Sequence, residues 1–151
     1  MSESESSKKF SNRGTVLVVE DVHYMRLLVR QTIAAMGYEV LEARSGEQGI
    51  ELFSQQQSEI QLILLDIVMP GLDGIETLQE IRKIDPKIPV LMVTANPNKD
   101  NLMVCAKHGI SGFVSKPFDR NKFRAKVLEV LATSQADGTA KERSDAPSTN
   151  A

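Results

Sequence analysis

Short apolar runs alternate with longer stretches in which apolar residues recur every three or four positions, from Gly14 to about Thr133. The short runs predict strands at Thr15 to Glu20, Tyr38 to Ala43, Ile60 to Leu65, Ile88 to Val93 and Gly112 to Ser115. Met25, Leu28, Val29, Thr32, Ile33 and Met36 mark one face of a first helix, with Gly37 as its C-cap. Ser45 and Gln48 predict a capping box for a second helix. Asp73 caps a third, whose Ile75, Leu78 and Ile81 share a face before Asp85-Pro86 stops it. A fourth, weakly amphipathic, is predicted near Asn98 to His108 and ends at Gly109. A fifth opens at Asp119, with Phe123, Val127, Val130 and Leu131 aligned.

Strands alternating with helices are the mark of βαβ units on a parallel sheet. Val16 to Val19, Leu62 to Leu65 and Val90 to Val93 are continuously apolar, as strands covered on both faces must be, so these three belong in the centre. Tyr38 to Glu42 carries charge and the last strand is short, which suits both to edges. The expected fold is α/β: a five-stranded parallel doubly wound sheet of order 2-1-3-4-5, flavodoxin-like, with five helices. Ligands of such sheets bind where the strand order reverses, beyond the carboxyl ends of strands one and three.

Length and composition set bounds on this picture. A chain of 151 residues fits one domain that buries roughly 68 to 70% of its unfolded surface. Residues 1–13 and 134–151 are poor in large apolar side chains and are expected to be disordered tails flanking a domain at 14–133. The 18 residues after Thr133 are too few for a further domain, which leaves a stand-alone protein and a chain cut within a linker both open. Eighteen basic against 20 acidic residues give a net charge of -2 and no electrostatic case for nucleic acid. No apolar stretch reaches the ~20 residues of a spanning helix, so no membrane insertion is expected. The first residues lack a signal-peptide core, and the single Cys105 cannot form an internal disulfide. A cytoplasmic protein is expected.

The chemistry concentrates at the strand ends. Strand one closes in Glu20-Asp21, strand three in Asp66, strand four in Thr94 and strand five in Lys116. Like charges about 4 Å apart repel by ~4 kcal/mol at an effective dielectric near 20, so three gathered carboxylates demand a cation. Mg²⁺ suits them, because it takes hard oxygen ligands and keeps several waters. Asp21, Asp66 and the main-chain carbonyl of Val68 are the candidate ligands. Lys116 adds a point charge and Thr94 a hydroxyl for phosphate oxygens, which completes a set for phosphoryl transfer to Asp66. Taken singly, Asp21 also reads as the N-cap of the first helix, Thr94 as a turn former and Lys116 as a surface lysine. Asp66 resists such a reading, since a carboxylate closing Ile63-Leu64-Leu65 is costly unless paired or metal-bound.

The acidic pair Glu20-Asp21, the stretch from Leu64 to Gly74 around Asp66, the Thr94-Ala95 pair and Lys116-Pro117-Phe118 together resemble, in order and spacing, the receiver domain of two-component response regulators, over about Gly14 to Leu131. The resemblance implies that Asp66 accepts a phosphoryl group from a sensor histidine kinase or histidine phosphotransfer protein. It implies that Glu20 and Asp21 hold Mg²⁺, and that Thr94 and Lys116 contact the phosphoryl oxygens. Thr94 and Phe113 are the implied switch residues, altering the face of helix four, strand five and helix five for an unknown protein target. Phe113 lacks the hydroxyl that relatives carry as tyrosine, and its apolar neighbours equally allow a plain core role. Val68 and Asn96 flank the site in that family and influence the phosphoryl lifetime. Phosphorylation-dependent dimerisation is left open. The implied role is a signalling domain that assists its own phosphorylation and dephosphorylation rather than a metabolic enzyme.

Three rival readings start from the same fold. A haloacid-dehalogenase-type aspartyl-phosphate hydrolase needs a second carboxylate two residues after its nucleophile, where this chain has Val68. A flavin module favours Gly, Ser and Thr after strand one, where this chain has two acids. A phosphorylation-independent binding module would not need the full constellation. His23 and His108 read as surface histidines, Cys105 as packed on the fourth helix, and Met69 as packing or backbone shaping.

Overall fold

The computed structural model describes residues 13–95 and 98–134. The expected tails therefore lie outside the described residues except at Arg13 and Ser134, and so does Asn96. In chain order the elements are β1 (Thr15–Val19), α1 (His23–Ala35), β2 (Glu39–Ala43), α2 (Gly46–Gln55), β3 (Ile60–Leu65), α3 (Gly74–Ile84), β4 (Val90–Thr94), α4 (Lys99–Lys107) and β5 (Gly112–Ser115). Residues 120–134 form a fifth helix, α5, so Ser134 is helical where a tail was expected. No described helix is long and apolar enough to cross a membrane.

The sheet is parallel throughout and ordered β2-β1-β3-β4-β5, as expected. Its two faces explain the unbroken apolar runs. Val16 and Val18 of β1 join Leu62, Leu64, Leu91 and Val93 in a core covered by Val29 and Ile33 of α1 and by Phe123 and Val127 of α5. Leu17 and Val19 point the other way, into a core with Ile63, Leu65, Phe53 of α2, Leu78 and Ile81 of α3 and Cys105 of α4. Side chains alternate across a strand, so a strand buried on both sides must be apolar at every position.

Boundaries differ from expectation in informative places. β4 starts at Val90 rather than Ile88, since Pro89 has no N–H to give a ladder, and it runs through Thr94. β1 stops at Val19, and β2 starts at Glu39 rather than Tyr38. Gly37 does follow α1, in a positive-φ conformation (φ 95°) that favours glycine. Of the face expected for α1 and its end, Val29, Thr32, Ile33 and Met36 are buried and Met25 and Leu28 half-buried, and Arg26 is buried with them. Asp21 does not cap α1, whose N-cap position is Val22 with no side-chain hydrogen bond. At α2 the Ser45 hydroxyl accepts from the Gln48 N–H at 3.1 Å. The reciprocal bond reaches the Arg44 N–H at 2.7 Å instead of that of the extended Ser45, so the expected box is half formed. Asp73 and Glu76 form a complete capping box on α3.

α4 is lightly anchored, with Cys105 its one buried residue. Its carboxyl end is held from α3: Arg82 donates to the carbonyls of His108 at 2.6 Å and Gly109 at 2.8 Å.

Candidate functional site

Sheet hydrogen bonds carry the functional residues past the strand ends to one edge of the sheet. The Glu20 N–H donates to the Ala43 carbonyl at 3.0 Å, the Asp66 N–H to the Val19 carbonyl at 3.2 Å, and the Lys116 N–H to the Thr94 carbonyl at 2.7 Å. Three side chains just past the strands are thereby fixed by the ladder rather than by free loops. Lys116 is held further by its neighbours towards α5. The Lys116–Pro117 peptide is cis, and Phe118 stacks on Phe123 of α5 with ring centroids 4.6 Å apart.

The loop after Asp66 is pinned by α3. The Gly74 N–H donates to the Ile67 carbonyl at 2.7 Å, and a Cβ on residue 74 would lie 2.0 Å from the Asp66 carbonyl oxygen. Only glycine permits that approach, which explains the Asp73-Gly74 pair: the aspartate caps the helix and the glycine lets its first turn meet the Asp66 backbone.

One carboxylate oxygen from each of Glu20, Asp21 and Asp66 lies within 4.8 Å of the others. Glu20 and Asp66 are buried, at 3% and 5% exposure. Lys116 Nζ lies 2.5 Å from Glu20 Oε1 and 3.0 Å from Asp66 Oδ2. The other Asp66 oxygen accepts from the Val68 N–H at 3.3 Å. Glu20 Oε2 accepts from the Val22 N–H at 3.2 Å. Asp21 Oδ1 is buried with no hydrogen-bond partner among the described residues.

The charges do not balance, because one lysine faces three carboxylates. Burial raises the Glu20 carboxyl from its usual 4.5 to about 6; the Lys116 hydrogen bond opposes the rise and the Asp66 charge adds to it. Burial by itself would lower the Lys116 ammonium, but its hydrogen bonds to Glu20 and Asp66 outweigh that and shift it upward. The lysine is thus held charged while Glu20 remains under-compensated. A cluster of oxygen donors with excess negative charge and one buried, unpartnered carboxylate oxygen fits a hard divalent cation such as Mg²⁺.

The structure brings Glu20, Asp21, Asp66 and Lys116 together as the sequence suggested. Thr94 is fully buried at the end of β4, between β3 and β5. Val68, two residues after Asp66, is 61% exposed. Phe113 pairs with Met92 in the sheet and is 42% exposed, which overturns the plain core reading. It is outside the acidic cluster. Met69 and Cys105 are buried as expected. His23 lies on the exposed start of α1, beside Arg26, and His108 near Gln79. Sequence reasoning missed Arg26, which is buried under the site and donates to the Glu20 carbonyl at 2.9 Å. Its signal was available, since Arg26 stands three and seven residues before Val29 and Ile33 on the apolar stripe.

Comparison with known proteins agrees with this geometry. The response regulator receiver domain family matches residues 16–128. The chain is 32% identical over 117 residues to the chemotaxis protein CheY of Thermotoga maritima, covering 77% of this chain and 92% of that protein. It is 34% identical over 116 residues to the probable transcriptional regulator ycf27 of Guillardia theta, covering 77% of this chain but only 44% of that one. It thus spans less than half the length of that regulator. It also aligns with a chain of the CheX-CheY-BeF3-Mg complex of Borrelia burgdorferi, with a TM-score of 0.75 and 28% identity over 78% of this chain and 89% of that chain. Strand order, acidic cluster and a family match across most of the chain agree, and this chain belongs to the response regulator receiver domain family.

Proposed function

We propose that Asp66 accepts a phosphoryl group from a phosphohistidine on a sensor histidine kinase or histidine phosphotransfer protein. The observation that carries this reading is the Asp21–Glu20–Asp66–Lys116 cluster, with its excess negative charge and its unpartnered Asp21 oxygen. An Asp66 oxygen attacks phosphorus as the donor's N–P bond breaks, and the imidazole nitrogen keeps the electron pair. Asp21, Asp66 and the Val68 carbonyl would hold Mg²⁺, with Glu20 beside them, and such an ion would supply positive charge against the transferred group. Lys116, already 3.0 Å from Asp66, moves its ammonium from the carboxylate to a phosphoryl oxygen. Thr94 offers its hydroxyl to another. The Val68 N–H on one Asp66 oxygen and Lys116 on the other orient the carboxylate for the incoming phosphorus.

The phosphorylated state is read as a shift in population. Contacts from Thr94 to a phosphoryl oxygen exist in one state only, so they bias the lightly anchored α4 and the exposed Phe113 toward it. The altered α4-β5-α5 face then meets a downstream protein in the cytoplasm. The chain acts as a signalling domain that assists its own phosphotransfer and turns over no external metabolite. Incubation with acetyl phosphate and Mg²⁺, followed by intact mass, tests this. One phosphoryl adduct is expected, absent after chelation and absent in Asp66→Asn; an adduct that persists in Asp66→Asn contradicts the reading.

A further inference from the structure

Arg26 is a buried cation that takes no part in the transfer described above. Its side chain is 6% exposed, and each arm of the guanidinium has a separate partner. Nη1 donates to the Glu20 main-chain carbonyl at 2.9 Å, Nε to Glu42 Oε1 on β2 at 3.2 Å, and Nη2 lies 3.0 Å from His23 Nδ1. A planar fork with fixed donor directions holds three elements in one register, which a flexible ammonium does not.

Its consequence lies in the peptide unit it grips. The Glu20 N–H is already committed to Ala43 on β2, so the Arg26 contact fixes the other end of the same residue. A peptide is planar, and orienting the Glu20 carbonyl therefore orients the Asp21 N–H and Cα. Among the described residues nothing else at the start of α1 does this strongly, because the N-cap position is Val22 and its side chain makes no capping hydrogen bond. The remaining support is the Glu20 carboxylate on the Val22 N–H, and that carboxylate is shared with Lys116. The Asp21 oxygen without a partner is the group whose aim depends on this peptide.

We infer that Arg26 is a positioning residue for the acidic cluster: by clamping the Glu20 carbonyl it aims Asp21 at a divalent cation. The inference rests on the Mg²⁺ reading of that cluster. Groups behind metal ligands typically change metal affinity about 10- to 100-fold when removed. A purely structural role for the Arg26–Glu42 ion pair predicts instead that affinity follows stability, whichever partner is changed.

Mg²⁺ titration by calorimetry, with urea midpoints for each protein, separates the two roles in wild type, Arg26→Gln and Glu42→Gln. Arg26→Gln should bind Mg²⁺ about 10-fold or more weakly. Glu42→Gln, which leaves the Glu20 clamp in place, should keep wild-type affinity within about twofold even where its midpoint falls as far. Equal affinity in Arg26→Gln and wild type, or an equal loss in both variants, overturns the inference. Should Arg26→Gln not fold, Arg26→Lys takes its place, since an ammonium cannot serve the Glu20 carbonyl and Glu42 in the fork geometry. Weaker Mg²⁺ binding in Arg26→Lys than in Glu42→Gln supports the clamp, and equality overturns it. Wild-type protein that shows no Mg²⁺ binding removes the underlying reading together with the inference.

Discussion

Replacing Lys116 by methionine keeps the bulk of the stem and removes the charge, so it isolates what the ammonium contributes to the unliganded site. At 3.0 Å from Asp66 and closer to Glu20, each pairing is worth ~6 kcal/mol at an effective dielectric near 20, before the cost of desolvating the ammonium. The loss has a ceiling, because Glu20 can escape by taking a proton. In the wild type its carboxyl titrates at about 6 against 4.5 unfolded, which makes folding progressively less favourable from pH 4.5 upward, by about 2 kcal/mol at pH 7.5. Without the lysine the Glu20 carboxyl moves further upward, and the cost at pH 7.5 rises toward a ceiling of about 4 kcal/mol, the value for a fully protonated Glu20. The difference, at most about 2 kcal/mol at pH 7.5, shrinks to nearly zero at pH 5, where both proteins already carry the proton. Lost contact with Asp66 is common to both pH values and drops out of the comparison between them. Urea unfolding followed by circular dichroism, without divalent cation, should therefore show Lys116→Met losing more stability at pH 7.5 than at pH 5, by at most about 2 kcal/mol. Saturating Mg²⁺ should stabilise the variant more than the wild type. An equal loss at both pH values refutes the reasoning and makes Lys116 a packing residue.

The same carboxyl predicts the wild type's own behaviour. A raised carboxyl favours the folded state when protonated, so its stabilising contribution is complete below about pH 4.5 and is lost as pH rises through about 6. Glu20→Gln should lack that decline, and parallel pH profiles of urea midpoints for the two proteins would contradict the assignment. At Gly74 a methyl group would meet the Asp66 carbonyl oxygen at 2.0 Å and Ile67 Cα at 2.6 Å, both backbone atoms. Gly74→Ala should cost about 3 kcal/mol in urea unfolding and weaken Mg²⁺ binding; a loss below about 1 kcal/mol would mean that α3 does not pin the Asp66 loop.

The strand order was legible because burial on two sides leaves a mark in the chain. Val16 and Val18 face one core and Leu17 and Val19 the other, so β1 has no polar position after Thr15, whereas the edge strand β2 keeps Glu39 and Glu42. The acidic cluster was legible for a related reason. Glu20, Asp66 and Lys116 each come directly after a strand, and the ladder hydrogen bonds of a parallel sheet carry such residues to the same edge. Pairing was not legible. Residue types do not say that Lys116 touches Glu20 as well as Asp66, or that Asp21 is left with an unpartnered oxygen, because both depend on loop geometry. Arg26 escaped because a helix face is sought by its apolar members, and a guanidinium can share that face when its donors are satisfied. Gln48 shows the same limit at smaller scale: the capping pattern was present, but its acceptor chose the Arg44 N–H.

Every later step of signalling depends on which carboxylate carries the phosphoryl group. Treating the acetyl-phosphate-charged protein with borohydride reduces an aspartyl phosphate to homoserine, and peptide mapping by mass spectrometry then locates it. Transfer to Asp66 predicts homoserine at residue 66 only, formed in the presence of Mg²⁺. Homoserine at residue 21, or no reduced residue in a protein that carries the adduct, would contradict it.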